Sequence, residues 1–245
     1  MDKNELVSIT QGALAIMNPT TPEKVLAAGK AAGLREGSRV VEAGCGNGTI
    51  LGLWGREYGI SGLGIETRED ACTRAEETLR EAGLSDRIAV RCMDARDYVP
   101  GEPFDCAASI GASHIHGGFA ATLESLLGLV HDEGTIVIGD RCWRSDRTPP
   151  EFAREWPDVL TGYEILGLAR EAGLDVAAVV RSSADDWDRY ESGIWQAVLS
   201  WLADHPDHPD RDFMTDYLRR IQDEYFGYGR EYMDWAMYVL VPGFW

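Results

Sequence analysis

Long apolar runs are missing from this sequence, and basic residues are scarce in it. The chain of 245 residues carries 23 Lys and Arg against 41 Asp and Glu, a formal net charge of −18 at pH 7. A charge of this sign repels nucleic-acid phosphates and anionic membrane surfaces. No apolar stretch approaches the roughly 20 residues that span a bilayer, and no cationic leader precedes one. We therefore expect neither a nucleic acid nor a membrane as a partner, and we expect a cytoplasmic location.

Cysteine pairs of the kind that mark zinc or redox sites are also absent. The sequence HPDHPD brings His205 and His208 close together, but its two prolines favour a solvated turn over a metal site. We therefore predict no metal ion. The cysteines are scattered and odd in number, so we expect reduced, mostly buried thiols at all five. They are Cys45, Cys72, Cys92, Cys106 and Cys142.

What the sequence does contain is a regular alternation of β-rich runs and helical stretches. This pattern predicts an α/β fold, with one sheet covered by helices on both faces. The length fits a single domain. Seven strands are predicted, at residues 38–43, 61–66, 88–92, 104–109, 135–139, 174–181 and 235–241.

Helices are predicted between these strands, and a longer insertion precedes the last strand. Thr21 and Pro22 form an N-cap and a first helical turn, and an N-terminal helix is predicted over residues 5–16. The insertion is rich in aromatic side chains and is interpreted as a helical cap on the sheet. We accordingly divide the single domain into an N-terminal helical cover (1–33), a cofactor-binding core (34–181), the cap (182–234) and a final strand with the C-terminus (235–245).

A glycine-rich turn, EAGCGNGT at residues 42–49, joins the first predicted strand to a helix. Its GxGxG spacing differs from the GxGxxG of a dinucleotide site, and Glu42 before it favours an ammonium group over a pyrophosphate. Glu66 ends the second strand, where a carboxylate can accept both hydroxyls of a ribose. Asp94 follows the third strand, where a carboxylate can accept the exocyclic amine of adenine. The three acids predict a site for an adenosine that carries a cationic amino acid.

With these motifs the chain resembles the class I S-adenosylmethionine-dependent methyltransferases. The resemblance covers residues 40–241 and rests on the ordered set EAGCGNG, GIE, CMDA, FDCAAS and LVHDEGTIVIGD. The flanking segments resemble a bacterial subgroup that methylates small molecules and whose acceptors are unassigned. The resemblance implies a Rossmann-like, seven-stranded mixed sheet with an antiparallel last strand, and S-adenosyl-L-methionine as cofactor. The segment HDEGT, residues 131–135, departs from the usual Pro-Gly turn and leaves the geometry of that turn open.

The resemblance also implies roles for individual residues. The glycines would pack against the cofactor, Glu42 would lie near its methionine amine and Ile110 along its methionine side. Glu66 would hold the ribose, and Asp94 with Ala95 would hold the adenine. The implied cofactor-binding residues are Glu42, Gly44, Cys45, Gly46, Gly48, Glu66, Thr67, Asp94, Ala95 and Ile110.

The segment SIGASHIHGGF, residues 109–119, contains two of the five histidines. It leaves the carboxyl end of the fourth predicted strand, the edge at which open α/β sheets bind ligands. Because the pKa of histidine lies near neutrality, we take His114 as the candidate general base or acceptor-positioning residue and His116 as its alternative. The other interpretation is that one or both merely hold the turn.

Aromatic residues near the predicted cap are the candidates for substrate contacts. Trp143, Trp187 and Tyr190 are placed best for this. We predict in-line methyl transfer to a small organic acceptor, with oxygen or nitrogen as the methylated atom, by a monomer or a homodimer. An aromatic, acidic cap suits a planar or cationic acceptor. Two alternatives stay open: methylation of carbon or sulfur without a strong base, and binding of the cofactor without catalysis.

Overall fold

A mixed, mainly parallel β-sheet forms the centre of the structure. The computed structural model describes residues 1–243. The last strand of the chain, β8, is antiparallel to both of its neighbours, and the other paired strands are parallel. The predicted seven-stranded mixed sheet with an antiparallel last strand is confirmed. In spatial order the strands are β3 (Ile88–Cys92), β2 (Ser61–Glu66), β1 (Arg39–Ala43), β4 (Phe104–Ile110), β5 (Val130–Trp143), β8 (Met233–Pro242) and β7 (Leu174–Arg181).

Strand β5 is longer than predicted. Its first residues continue the strand through the HDEG segment, and the pairing with β4 shifts register between Phe104 and Cys106. Its last residues pair with β8. A short additional strand, β6 (Leu160–Thr161), pairs in parallel with β5 beyond the end of β4. The extension of β5 carries Asp140 and Arg141 past the carboxyl edge of the neighbouring β4.

Helices cover both faces of the sheet, as predicted. Two separate clusters of buried side chains, one on each face, form the core. No helix within the described residues 1–243 is long and apolar enough to cross a bilayer. The helices are α1 (Lys3–Gln11), α2 (Pro22–Ala31), α3 (Thr49–Tyr58), α4 (Glu69–Glu81), α5 (Phe119–Leu127), α6 (Pro150–Ala153), α7 (Gly162–Glu171), α8 (Ala184–Asp204), α9 (Arg211–Glu224) and α10 (Arg230–Tyr232).

The predicted N-cap of α2 is present, because the hydroxyl of Thr21 accepts a hydrogen bond from the backbone N–H of Lys24 at 3.3 Å. The N-terminal helix, by contrast, is shorter than predicted and ends at Gln11. Residues 12–20 follow as an irregular segment that leads to α2.

The segment predicted as a cap consists of α8, α9, a π-helical turn (Tyr225–Gly229) and α10. A small apolar cluster joins α8 and α9 to α1, with Val198 and Met214 at its centre. Helix α8 begins with a capping box, in which Ser183 and Asp186 accept each other's backbone N–H groups at 3.2 and 2.8 Å. Such a box satisfies two amide groups that the first turn would otherwise leave unpaired.

One pair of cysteines contradicts the expectation of reduced thiols. Cys72 in α4 and Cys92 at the end of β3 form a disulfide, with their Cα atoms 5.8 Å apart. Cys92 lies opposite Glu66 in the sheet, and α4 begins shortly after Glu66, so both cysteines reach the same corner. The prediction is wrong for this pair because a separation of 20 residues carries no pairing signal. The other three, Cys45, Cys106 and Cys142, are free and buried, as expected.

Thiol counting tests this disulfide. We expect three reactive thiols in the unfolded, unreduced protein, and five after reduction. Closing a loop of about 20 residues should contribute about 3 kcal/mol to the free energy of unfolding, so a reductant should lower the urea midpoint. The same reductant should leave a Cys72→Ala, Cys92→Ala double variant unchanged. Five reactive thiols before reduction would contradict the pairing.

Candidate active site

A cavity of about 770 Å³ lies at the carboxyl ends of β1, β4 and β5. The order of the strands reverses between β1 and β4, and open α/β sheets bind ligands at such a reversal. The volume falls within the range of roughly 300–1,000 Å³ that is usual for small-molecule sites. Its wall combines the glycine loop, the segment before α2, the loop after β4, the end of β5 and one face of α8.

Two glycines of the loop line the cavity together with Cys45. Gly44 has a φ of +74°, and a Cβ atom there would lie 2.4 Å from the Cβ of Ala112. Gly46 has a φ of +54° and donates its backbone N–H to Oε2 of Glu66 at 3.0 Å. Glycine is therefore required at both positions by the left-handed backbone, and at Gly44 by the close approach of the next loop as well.

Gly48 has a different environment from the predicted one. It lies outside the cavity wall and forms the N-cap of α3 with a φ of +74°. A Cβ atom there would lie 3.1 Å from both Cα and Cβ of Ala75 in α4. Its small size thus allows α3 and α4 to approach each other, and its position does not support the predicted contact with a cofactor.

Glu66 connects the glycine loop to the turn that leads into α4. Its Oε1 accepts the backbone N–H groups of Thr67 and Arg68 at 3.0 Å each, and its Oε2 accepts that of Gly46. The side chain is 8% exposed, and both Glu66 and Thr67 line the cavity. The hydroxyl of Thr67 and Nε of Arg68 also lie 3.5 Å from Oε1. Among the described residues, Oε2 accepts only the amide of Gly46, so this oxygen retains capacity for a hydroxyl group of a ligand.

Glu42 lies deep in the same cavity and is 1% exposed. Its Oε2 has no hydrogen-bond partner among the residues that the structure describes. Burial, reinforced by the negative charge of Glu66, raises the pKa of Glu42 well above its ordinary value. A buried carboxyl group without a partner is costly unless a donor meets it. An ammonium group in this cavity would supply both the charge and the hydrogen bond.

The predicted adenine-binding residues are placed less favourably. Neither Asp94 nor Ala95 belongs to the cavity wall. The carboxylate of Asp94 pairs with the guanidinium of Arg96 at 2.5 Å and accepts its backbone N–H at 2.9 Å. These contacts lower the pKa of Asp94 to about 2. An adenine amine would have to share this carboxylate with Arg96.

The irregular segment before α2 forms one wall of the cavity, which the motif pattern did not indicate. The side-chain amide of Asn47 donates to the backbone carbonyls of Leu14 and Ala15 at 3.1 and 3.2 Å. The amide of Asn18 donates to the carbonyl of Ile110 at 3.1 Å. Ile110 itself is buried and lines the cavity, as predicted from its place after β4.

The structure separates the two histidines. His114 lines the cavity, whereas His116 lies outside its wall, on the side of Asp94 and Arg96. Desolvation by the surrounding protein, followed by the positive charge of Lys3, lowers the pKa of His114, and the negative charge of Asp140 opposes this. His114 is therefore the histidine that a ligand in this cavity can contact.

Three residues that the sequence reasoning missed belong to the same wall. Asp140 and Arg141 follow each other at the end of β5, and Trp156 lies between α6 and β6. Desolvation raises the pKa of Asp140. The guanidinium carbon of Arg141 lies 4.4 Å from the ring centre of Trp156. Asp140 and Arg141 directly follow the predicted strand at residues 135–139, at the ligand-binding edge, and this was the available signal for them. The sequence offers no comparable signal for Trp156.

Two of the three predicted substrate contacts line the cavity. Trp187 and Tyr190 reach it from α8, and the hydroxyl of Tyr190 donates to Oε1 of Gln11 at 3.3 Å. Trp143 does not. It is buried against Phe152 of α6, with ring centres 5.5 Å apart, because that helix covers the end of β5. The position of Trp143 therefore does not support its predicted role.

Residues 40–134 match the family model of a methyltransferase domain. The fold superposes with a TM-score of 0.91 on an S-adenosylmethionine-dependent methyltransferase from Thiobacillus denitrificans in complex with S-adenosyl-L-homocysteine, at 33% identity over 99% of this chain and 100% of that one. A second S-adenosylmethionine-dependent methyltransferase, from Geobacter sulfurreducens and also in complex with S-adenosyl-L-homocysteine, superposes with a TM-score of 0.90. It is 34% identical, and the match covers 97% of this chain and 98% of that one. The uncharacterized YjhP of Escherichia coli K12 is 31% identical over 98% of this chain and 99% of its own. The chain belongs to the S-adenosylmethionine-dependent methyltransferases.

Proposed function

We propose that this methyltransferase methylates an oxygen or nitrogen atom of a small organic acceptor, with His114 as the general base. The observation that carries the proposal is the position of His114, in one cavity with Glu42 and Glu66. The acceptor, a monomeric or homodimeric state and a cytoplasmic location stay predictions from the sequence.

The residues of the cavity fit the cofactor at two of its groups. S-adenosylmethionine supplies a methyl group on a sulfonium centre when it is bound. Glu42 offers a buried, unpaired carboxyl oxygen to the ammonium of its methionine part, and Glu66 offers acceptor capacity to its ribose. Trp187 and Tyr190 of the cap present aromatic surface to the space beside these groups. A planar acceptor bound against them would displace water and be aligned for in-line displacement.

The electrostatics of His114 suit a base. Because its pKa is lowered from 6.5, the imidazole is neutral at neutral pH and free to accept a proton from a hydroxyl or ammonium group of the acceptor. Asp140, near it in the same wall, favours the imidazolium that results. The pair thus provides a place for the proton that the acceptor must lose.

Replacing His114 by glutamine tests the proposal. With radiolabelled cofactor and a panel of phenols, amines, heterocycles and carboxylic acids, we expect kcat to fall about 100-fold or more, with unchanged affinity for S-adenosylhomocysteine. Because burial lowers the pKa of His114 below its ordinary value of 6.5, wild-type kcat should be flat at and above neutrality and should fall only on the acid side of that value, where His114 becomes protonated. His131→Gln is the control, because His131 is paired with Asp105 at 3.0 Å and lies outside the cavity wall.

The outcomes separate the alternatives. Methyl transfer that persists in His114→Gln with no ionisation near neutrality would indicate methylation of carbon or sulfur without a strong base. Cofactor binding without turnover of any acceptor class would indicate a binding protein. Either result would overturn the role of His114 as base.

A further inference from the structure

Arg141 is a cation without a protein partner in the cavity wall. Within residues 1–243, no hydrogen bond or ion pair involves its guanidinium group. The group instead lies over the ring of Trp156, 4.4 Å from the ring centre. A guanidinium carries five N–H donors in a planar fork that matches a carboxylate. An Arg held against an aromatic ring with its donors unused is arranged to meet a ligand.

The charged and titratable groups around Arg141 limit what that ligand can be. Asp140 and His114 face it from the sheet edge, Lys3 of α1 lies in the same cavity wall, and four groups face it from the cap. The four cap groups are Tyr190 and Glu191 of α8, and Tyr217 and Glu224 of α9. In the described part of the chain, Arg141 has no ion pair with the carboxyl group of Asp140, Glu191 or Glu224. Glu224 instead lies 3.8 Å from Arg220.

We propose that the acceptor carries a carboxylate, or a similar monoanionic group, that binds to the guanidinium of Arg141. The inference rests on the proposed function, since it concerns the acceptor that would share the cavity with the cofactor. It changes one expectation drawn from the sequence. The aromatic wall still favours an acceptor with a planar ring system. The acidic cap led us to expect a cationic acceptor, whereas the positive charge of Arg141 favours an acceptor with an anionic group.

A monoanion fits better than a dianion. The carboxyl groups of Asp140, Glu191 and Glu224 outnumber the two positive charges of Arg141 and Lys3 around this part of the cavity, so a phosphate with two charges would meet repulsion that a carboxylate meets less. A bidentate carboxylate also satisfies two donors of the fork without adding bulk.

Glu191 makes the affinity depend on pH. Burial raises its pKa to about 7, and the positive charge of Arg141 opposes this shift. Below that pH Glu191 is neutral and Arg141 is free to bind an anion. Above it, the new negative charge competes with the acceptor. We therefore expect the Kd for a carboxylate to rise between pH 6 and pH 8, and to rise much less in Glu191→Gln.

The test measures binding of matched carboxylates and amides to the protein saturated with S-adenosylhomocysteine. Acetate, benzoate and 2-naphthoate are compared with their amides, and phenyl phosphate serves as the dianion, all by calorimetry. We expect at least one carboxylate to bind about tenfold or more tightly than its amide, and phenyl phosphate to bind more weakly than benzoate. Arg141→Gln should remove this preference, and Arg141→Lys should retain part of it.

Arg219→Gln is the matched control, because Arg219 is exposed on α9 with only a 3.8 Å contact to Asp216. The affinity for S-adenosylhomocysteine and the melting temperature are measured on every variant, which separates a lost anion site from a misfolded protein. Amides that bind as well as carboxylates would overturn the proposal, as would a preference that survives in Arg141→Gln. Failure of S-adenosylhomocysteine itself to bind wild type would instead count against the proposed function.

Discussion

Glu42→Gln is expected to stabilise the cofactor-free protein and to weaken its affinity for S-adenosylhomocysteine at the same time. The side chain is fully buried, and one carboxyl oxygen has no partner within the described residues. Glutamine keeps the shape and removes the ionisable group. The two effects have opposite signs because the same desolvated carboxyl group lowers the stability of the cofactor-free protein and raises the affinity for a ligand with an ammonium group.

The effect of Glu42→Gln on stability depends on pH. In the unfolded chain Glu42 ionises near 4.5, whereas burial keeps it protonated to a higher pH in the folded protein. The folded state then binds the proton more tightly, so wild-type stability falls as the pH rises above 4.5. The stability of Glu42→Gln does not fall in this way, because glutamine does not ionise. We expect the variant to be more stable than wild type at pH 8 and to differ little from it at pH 4.5, as measured by urea unfolding at the two pH values.

The effect on binding is measured by calorimetry in two buffers of different ionisation enthalpy. The ammonium group should displace the proton of Glu42, so wild type should release a proton on binding and the variant should not. Loss of one charge-assisted hydrogen bond should raise the Kd about 10- to 100-fold. Glu57→Gln, exposed on α3, is the control. Equal proton release in wild type and variant would contradict the contact.

Three of the predicted cofactor-binding residues that line the cavity share one property: their position follows from the order of the strands. Glu42, Glu66 and Ile110 lie at or beside the ends of β1, β2 and β4, and parallel strands bring these ends to one edge. The strand pattern alone therefore predicts that they line one cavity. The sheet and the helices on both of its faces follow from the alternation of strand-like and helical segments, whereas the antiparallel last strand was expected only from the family resemblance.

The residues that the sequence misplaced depend on packing or on local competition. Trp143 shares a face of β5 with Arg141, but it lies two residues further along, where Phe152 covers it. The carboxylate of Asp94 pairs with Arg96, a choice that the spacing of strands does not reveal. The disulfide and the unpartnered Arg141 likewise depend on which helices cover the sheet edge, and no local motif encodes that.

Glu66→Ala should weaken cofactor binding more than Glu42→Gln does, and it should destabilise the protein. Three backbone N–H groups, those of Gly46, Thr67 and Arg68, lose their acceptor, and the ribose would lose the partner that we propose for it. We expect the Kd for S-adenosylhomocysteine to rise about 100-fold or more. The free energy of unfolding should fall by about 2–4 kcal/mol, since water in the open cavity can replace only part of these bonds.

Two further variants separate the structural role of Glu66 from its proposed contact with the ribose. Glu66→Gln retains one acceptor oxygen and should lose less stability than Glu66→Ala, with a large loss of affinity in both. Glu69→Ala, in the exposed first turn of α4, should change stability by only about 0.3–1 kcal/mol through the helix dipole. If Glu66→Ala left stability unchanged, the carboxylate would not be the link between the two loops. If instead the stability rises in Glu42→Gln and falls in Glu66→Ala, the two acids have different roles. Glu42 is then a buried acid that lacks a partner until a ligand binds, and Glu66 is an acid whose hydrogen bonds already stabilise the empty site.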